Sequence, residues 1–140
     1  MNEPSLAVKS FIVNNDGKLL MLKRDNKDLH TPGEWEIPGG RLTSGEDPFE
    51  GLKRETLEET GLNIEILNPM RIHHFTRDDG QKITMVTFLC KPLSNDIKLS
   101  EEHSEHSWVD VDEAKDKIHP SFLDEIKVFK ELFKDKLFNF

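Results

Sequence analysis

The chain has 140 residues, of which 33% are charged and 35% hydrophobic, with a formal net charge of −8. That length predicts one domain spanning residues 1–140, and no apolar run approaches the ~18 residues of a membrane helix. The acid excess excludes the basic face that a nucleic acid polymer requires, but not a small phosphate-bearing ligand, because divalent cations can sit between carboxylates and phosphates.

The chain opens with "SLAVKSFIV", "NNDG" and "KLLMLKR", which predict two strands joined as a hairpin, since Asn-Asp-Gly supplies the positive φ values of tight turns. "DNKDLHTPGEWEIPGG" reads as loop, with "EWEI" a short strand. A helix follows: Asp47 caps it, Pro48 suits its first position, Glu50 completes a capping box, and Gly61 ends it in a left-handed conformation. "NIEILNPMRIHHFTR", "DDGQ" and "KITMVTFLCKP" predict a second hairpin. "HSWVDV" reads as a strand and "DVDEAKDK" as the start of a short helix. The tail places Phe122, Ile126, Phe129, Leu132 or Phe133, and Leu137 at helical spacing. Interspersed strands and helices without a strict βαβ repeat predict an α/β protein, a mixed β-sheet flanked by helices. The single cysteine, Cys90, forbids an internal disulfide. With a start, "MNEPSLAVKS", that lacks a signal peptide's features, it predicts a cytoplasmic protein. Cys90 lies in the apolar run "MVTFLC" and reads as a packed thiol.

On the central helix, Glu55, Glu58 and Glu59 fall within an arc of about 100°, bordered by a buried stripe of Phe49, Leu52, Thr56 and Thr60. Like charges at this spacing repel, and partial burial sharpens the cost. Arg54 can pair with Glu58 or Glu50, yet one guanidinium cannot neutralise three carboxylates, whereas a hard divalent cation can. A solvated acidic face is the plain alternative. Against it stands Gly51, a mid-helix glycine costing about 1 kcal/mol relative to alanine, which leaves room for the "PGG" loop of Pro38, Gly39 and Gly40 to approach.

Gly40, five residues, Glu46, seven residues, then Arg54-Glu55-Thr56-Leu57-Glu58-Glu59-Thr60-Gly61-Leu62 closely resembles the signature of the Nudix hydrolases. Thr56 departs from the aliphatic residue usual there, and Thr43 stands where many members carry an acid. The resemblance implies an α/β/α sandwich and hydrolysis of a nucleoside diphosphate linked to another moiety, with Mg²⁺ or Mn²⁺. It assigns Glu55, Glu58, Glu59 and the Gly40 carbonyl to the metal, and gives Arg54 and Glu46 the task of orienting the helix and its acids. Arg24, Gly39 and Gly40 are the substrate contacts it implies. The general base lies in the box or on a later loop, where Glu102 or Glu105 is favoured over Glu101. The substrate is a small nucleotide, with a slight tilt toward a nucleoside triphosphate; ADP-ribose, a nucleotide sugar and a dinucleoside polyphosphate are the alternatives. A binding module without turnover is the competing class, and homodimers are common among relatives. His73 and His74 read equally as base-pocket or sheet residues. His103 and His106 lack the cysteines of a zinc site, and Trp35 and Trp108 read as core anchors.

Overall fold

The computed structural model describes residues 5–135. Its strands are β1 (Ser5–Ile12), β2 (Lys18–Arg24), β3 (Trp35–Glu36), β4 (Gly39–Arg41), β5 (Ile64–Thr76), β6 (Lys82–Pro92) and β7 (His103–Asp110). Helix α1 (Pro48–Thr60) lies between β4 and β5, and α2 (Val111–Ala114) and α3 (Leu123–Val128) follow β7.

Local signals fix several boundaries. The Asp47 carboxylate accepts from the Phe49 and Glu50 amides, and Gly61, at φ 75°, donates its amide to the Leu57 carbonyl. The reciprocal half of the capping box does not form, because the Glu50 carboxylate turns toward Lys53, 3.9 Å away. β5 and β6 make the expected antiparallel hairpin around Gly80, at φ 87°.

The first turn also forms, with the Asn14 side chain accepting from the Asp16 and Lys18 amides and Gly17 at φ 77°. It does not join a hairpin. Past the single bridge between Val13 and Leu19 the strands part into different sheets, β1 between β4 and β6 and β2 between β3 and β7. Each carries consecutive buried residues, Ala7–Ile12 and Leu19–Leu22, so each needs cover on both faces rather than one.

That cover comes from two cores. Phe11, Val13, Leu19 and Met21 pack with Ile118, Phe122, Ile126 and Phe129 of the C-terminal segment. Val8, Ile12, Leu20 and Leu22 pack with Leu52 of α1 and with Leu62. The result is the expected α/β/α sandwich, with its central layer split into a mixed four-stranded sheet (β4-β1-β6-β5) and a three-stranded antiparallel one (β3-β2-β7). Trp35 packs on the first core and Trp108 on the second.

The closing helix is broken into a 3₁₀ turn (Pro120–Phe122), α3 and a π-type turn (Phe129–Phe133). Phe133 turns inward while Leu132 stays exposed, and Leu137 lies outside the described residues. Among the described residues, no helix is long and apolar enough to cross a membrane.

Candidate active site

Helix α1 docks through Leu52, Thr56 and Thr60, all fully buried, whereas Phe49 stays half exposed against the Phe88 ring, centroids 5.4 Å apart. Thr56 earns its place in a stripe where an aliphatic residue is expected: its hydroxyl lies 3.0 Å from that of Ser10 on β1, so both buried hydroxyls are satisfied. The three carboxylates of the arc differ in depth. Glu58 is exposed, Glu55 half-buried, and Glu59 only 4% exposed.

The Pro-Gly-Gly turn meets the deeper two. At Gly39 (φ 132°) a Cβ would lie 2.1 Å from the Val8 carbonyl, so only glycine lets this turn press on β1. The Gly39 amide donates to Glu59 Oε1 at 3.3 Å, and a Cβ on Gly40 would sit 3.0 Å from Glu55 Oε2. The close approach at Gly51 comes from elsewhere. There a Cβ would meet Leu42 Cδ2 at 2.2 Å and Glu46 Oε1 at 3.1 Å, so the glycine admits side chains from the β4–α1 loop and not the Pro-Gly-Gly backbone.

Arg54 makes a two-point fork on Glu46, Nε to Oε2 at 2.7 Å and Nη2 to Oε1 at 2.9 Å. The same guanidinium reaches Glu55 and Glu58, each at 3.2 Å, and leaves Glu50 to Lys53. Arg54, helped by the Thr43 amide, holds Glu46 at a pKa of about 2. One arginine therefore spans the loop and both outer carboxylates.

Behind α1 lies a buried charged chain. Lys9 Nζ is 3.0 Å from Glu36 Oε1 and also donates to the Ile37 carbonyl. Glu36 Oε2 lies 2.7 Å from Arg24 Nε and 2.8 Å from His103 Nε2. Burial opposes the charge on Glu36, but Lys9, the His103 hydrogen bond and Arg24 outweigh it and bring its pKa down to about 2. On the far side of the ring, His103 Nδ1 faces Glu59 Oε2 at 3.8 Å. Glu59 is pushed up to about 8, first by burial and then by the like charges of Glu36, Glu55 and Glu102, against a partial offset from Lys9. Burial also raises Glu55.

The structure thus brings Glu55, Glu59, Gly39, Gly40 and Glu102 together, with Glu58 and Glu46 tied to the rim through Arg54. Glu105 stands apart: it lies within β7, exposed, opposite Lys23 and ion-paired to it at 3.2 Å. Glu102, just before that strand, shares a cluster with Glu59 and His103 in which one donor atom from each lies within 4.8 Å of the others. Arg24 lines a cavity of about 220 Å³ with Phe75, Met85, Arg77, His119 and Phe122. His73 and His74 stay outside it, His73 against Arg71 and His74 against Thr84. Burial raises the Cys90 thiol, in keeping with a packed residue.

Sequence reasoning missed Lys9 and Glu36, and weighed His103 only as half of a zinc pair with His106. Glu36 sits two residues before the Pro-Gly-Gly turn and could have been found as a charge flanked by the apolar Trp35 and Ile37. The residues also fit a divalent cation. Glu59 Oε2 is buried without a hydrogen-bond partner among the described residues, and Glu59 clusters with the Glu102 carboxylate and the His103 ring.

A sequence profile of the NUDIX domain matches residues 3–131. A MutT-like protein of Streptomyces ambofaciens is 32% identical over 114 residues, 81% of this chain and 69% of its own. The nucleoside triphosphatase NudI of Escherichia coli is 30% identical over 109 residues, 70% of this chain and 77% of its own. Among solved structures, the MutT protein of Methanosarcina mazei superposes with a TM-score of 0.85 at 28% identity, covering 95% of this chain and 97% of the other.

Proposed function

The chain belongs to the Nudix hydrolases, enzymes of nucleotide pyrophosphate bonds, and on that footing we propose a Mg²⁺- or Mn²⁺-dependent pyrophosphohydrolase that cleaves a nucleoside triphosphate to the monophosphate and pyrophosphate. One observation carries the proposal: Glu55, Glu59 and Glu102 converge with the Pro-Gly-Gly turn at a site where Glu59 Oε2 is buried with no hydrogen-bond partner among the described residues. Glu55, Glu58, Glu59 and the Gly40 carbonyl are the residues that would hold the cation, which supplies charge neutralisation for the diphosphate and Lewis-acid activation of water.

The chain's own groups do the rest. Glu102, exposed and beside Glu59, takes the proton of the attacking water as general base. Arg54 ties Glu55 and Glu58 together on the side of α1 that would face the diphosphate. Arg24 faces the anionic substrate from the cavity, where the Phe75 and Phe122 rings offer apolar surface to a base and His119 and Arg77 offer polar edges. The preference for a triphosphate is supported by the NudI likeness. We place the enzyme in the cytoplasm, where its one thiol needs no partner.

The test is a panel of nucleoside triphosphates, nucleotide sugars, ADP-ribose and dinucleoside polyphosphates with Mg²⁺, scored for phosphate-containing products. Triphosphates should release pyrophosphate fastest. Glu58→Gln and Glu59→Gln should each lower turnover by about two orders of magnitude or more with the fold retained. Unchanged turnover in both variants refutes the carboxylate assignment.

A further inference from the structure

We propose that His103, through Nδ1, is a nitrogen ligand of the cation that Glu59 would hold, so that this centre is a mixed nitrogen and oxygen site. The inference rests on the hydrolase reading for the existence of the cation and goes beyond it in the ligand set and the metal preference.

The ring is fixed from one side. The His103 side chain is fully buried, and its Nε2 lies 2.8 Å from Glu36 Oε2. Glu36 is itself flanked by Lys9 and Arg24, at 3.0 and 2.7 Å, and a carboxylate between two cations accepts from the imidazole. Nε2 therefore carries the proton, and Nδ1 presents its lone pair on the opposite side of the ring.

That lone pair is aimed at the acidic cluster. Nδ1 has no hydrogen-bond partner among the described residues, and neither does Glu59 Oε2, the atom it faces at 3.8 Å. The separation is too long for a hydrogen bond. Two donors bound at about 2.1 Å to one ion lie about 3.0 to 4.2 Å apart, depending on their angle, and the pair falls in that window. Two orphaned buried atoms are costly singly, and a shared cation relieves both.

The surrounding order is that of a carboxylate, a histidine and a metal in series, the outer carboxylate setting tautomer and ring orientation. Glu36 is accordingly a positioning residue, kept in place by Lys9 and Arg24. His106 takes no part; it is exposed on β7 opposite Leu22. An imidazole ligand shifts selectivity from Mg²⁺, which prefers oxygen, toward Mn²⁺, Co²⁺ or Zn²⁺.

The experiment uses Mn²⁺ as probe on the full chain, read by electron spin echo envelope modulation and by titration of Mn²⁺ and Mg²⁺ affinity. The native protein should show the nitrogen coupling of a directly bound imidazole, and incorporation of ¹⁵N-histidine should change its frequency without any substitution. His103→Gln should abolish the coupling and lower the ratio of Mn²⁺ to Mg²⁺ affinity at least tenfold. Bound Mn²⁺ without nitrogen coupling in the native protein, or coupling that survives His103→Gln, overturns the ligand assignment and leaves the hydrolase reading standing. Failure of Mn²⁺ to bind overturns both.

Discussion

Glu59→Gln offers a measurement that does not depend on turnover. Glu59 is 4% exposed, and its pKa stands at about 8 against an ordinary 4.5. Between those values the folded, metal-free protein holds a proton that the unfolded chain has released. The favourable contribution is therefore complete below about pH 4.5 and is lost as pH rises through about 8. At 1.36 kcal/mol per unit, the carboxyl removes about 4 kcal/mol of stability between pH 5 and pH 8.5. Glutamine keeps the shape and can still accept the Gly39 amide, but it cannot titrate. Urea unfolding of both proteins with a chelator present should show the variant gaining on the parent by that amount across the interval. Groups that do not interact with Glu59 titrate alike in both proteins and cancel in the difference. Saturating Mn²⁺ should restore the parent's stability at the high-pH end. A difference between the two proteins that stays flat with pH refutes the burial argument.

Gly51→Ala should destabilise by about 1 to 2 kcal/mol in urea titration despite the better helix propensity of alanine, because its methyl would lie 2.2 Å from Leu42 Cδ2; a stabilised variant would show that Leu42 gives way freely. Arg71→Met should cost about 3 to 5 kcal/mol, since it strands Glu125, which is 1% exposed and bonded to Arg71 at 2.8 Å and to Thr87 at 2.9 Å. Adding Glu125→Leu should recover much of that loss in the same assay. Glu36 has a folded pKa of about 2, below its ordinary 4.5, so its contribution is complete above 4.5 and lost as pH falls toward 2. The parent should lose about 2 kcal/mol more than Glu36→Gln between pH 6 and pH 3, measured by urea unfolding.

Features written in a few adjacent residues were legible. Asp47, Pro48 and Gly61 bound α1, and the "DDGQ" turn makes its hairpin, because capping and positive φ are decided by the residues on the spot. The "NNDG" turn obeyed the same rule, yet what its arms pair with was decided by partners far along the chain. The clue lay in the arms themselves, whose unbroken apolar runs lack the alternation of a strand covered on one face. At the site, helical geometry put Glu55, Glu58 and Glu59 on one side, but their depths followed from how α1 settles on β1. The approach to Gly51 was expected from the wrong segment, since a missing side chain reveals a contact and not its partner. For His103 the local signal, its spacing from His106, pointed to the wrong partner; the pairing of β7 with β2 sets its ring between Glu36 and Glu59.

The pairing of β1 also bears on how the molecule comes into being. Its parallel neighbour sets Ser5 against Ile83 and Ile12 against Cys90, while its other edge waits for Gly39–Arg41. No short-range contact can hold this strand, so its closure entropy must be met across a long loop, which slows folding relative to a helical protein of the same size. During synthesis the first described strand to emerge is among the last to be fully hydrogen-bonded. Until β6 arrives, Val8, Phe11 and Ile12 are an exposed apolar edge, and in that interval the nascent chain is most open to aggregation and to chaperones.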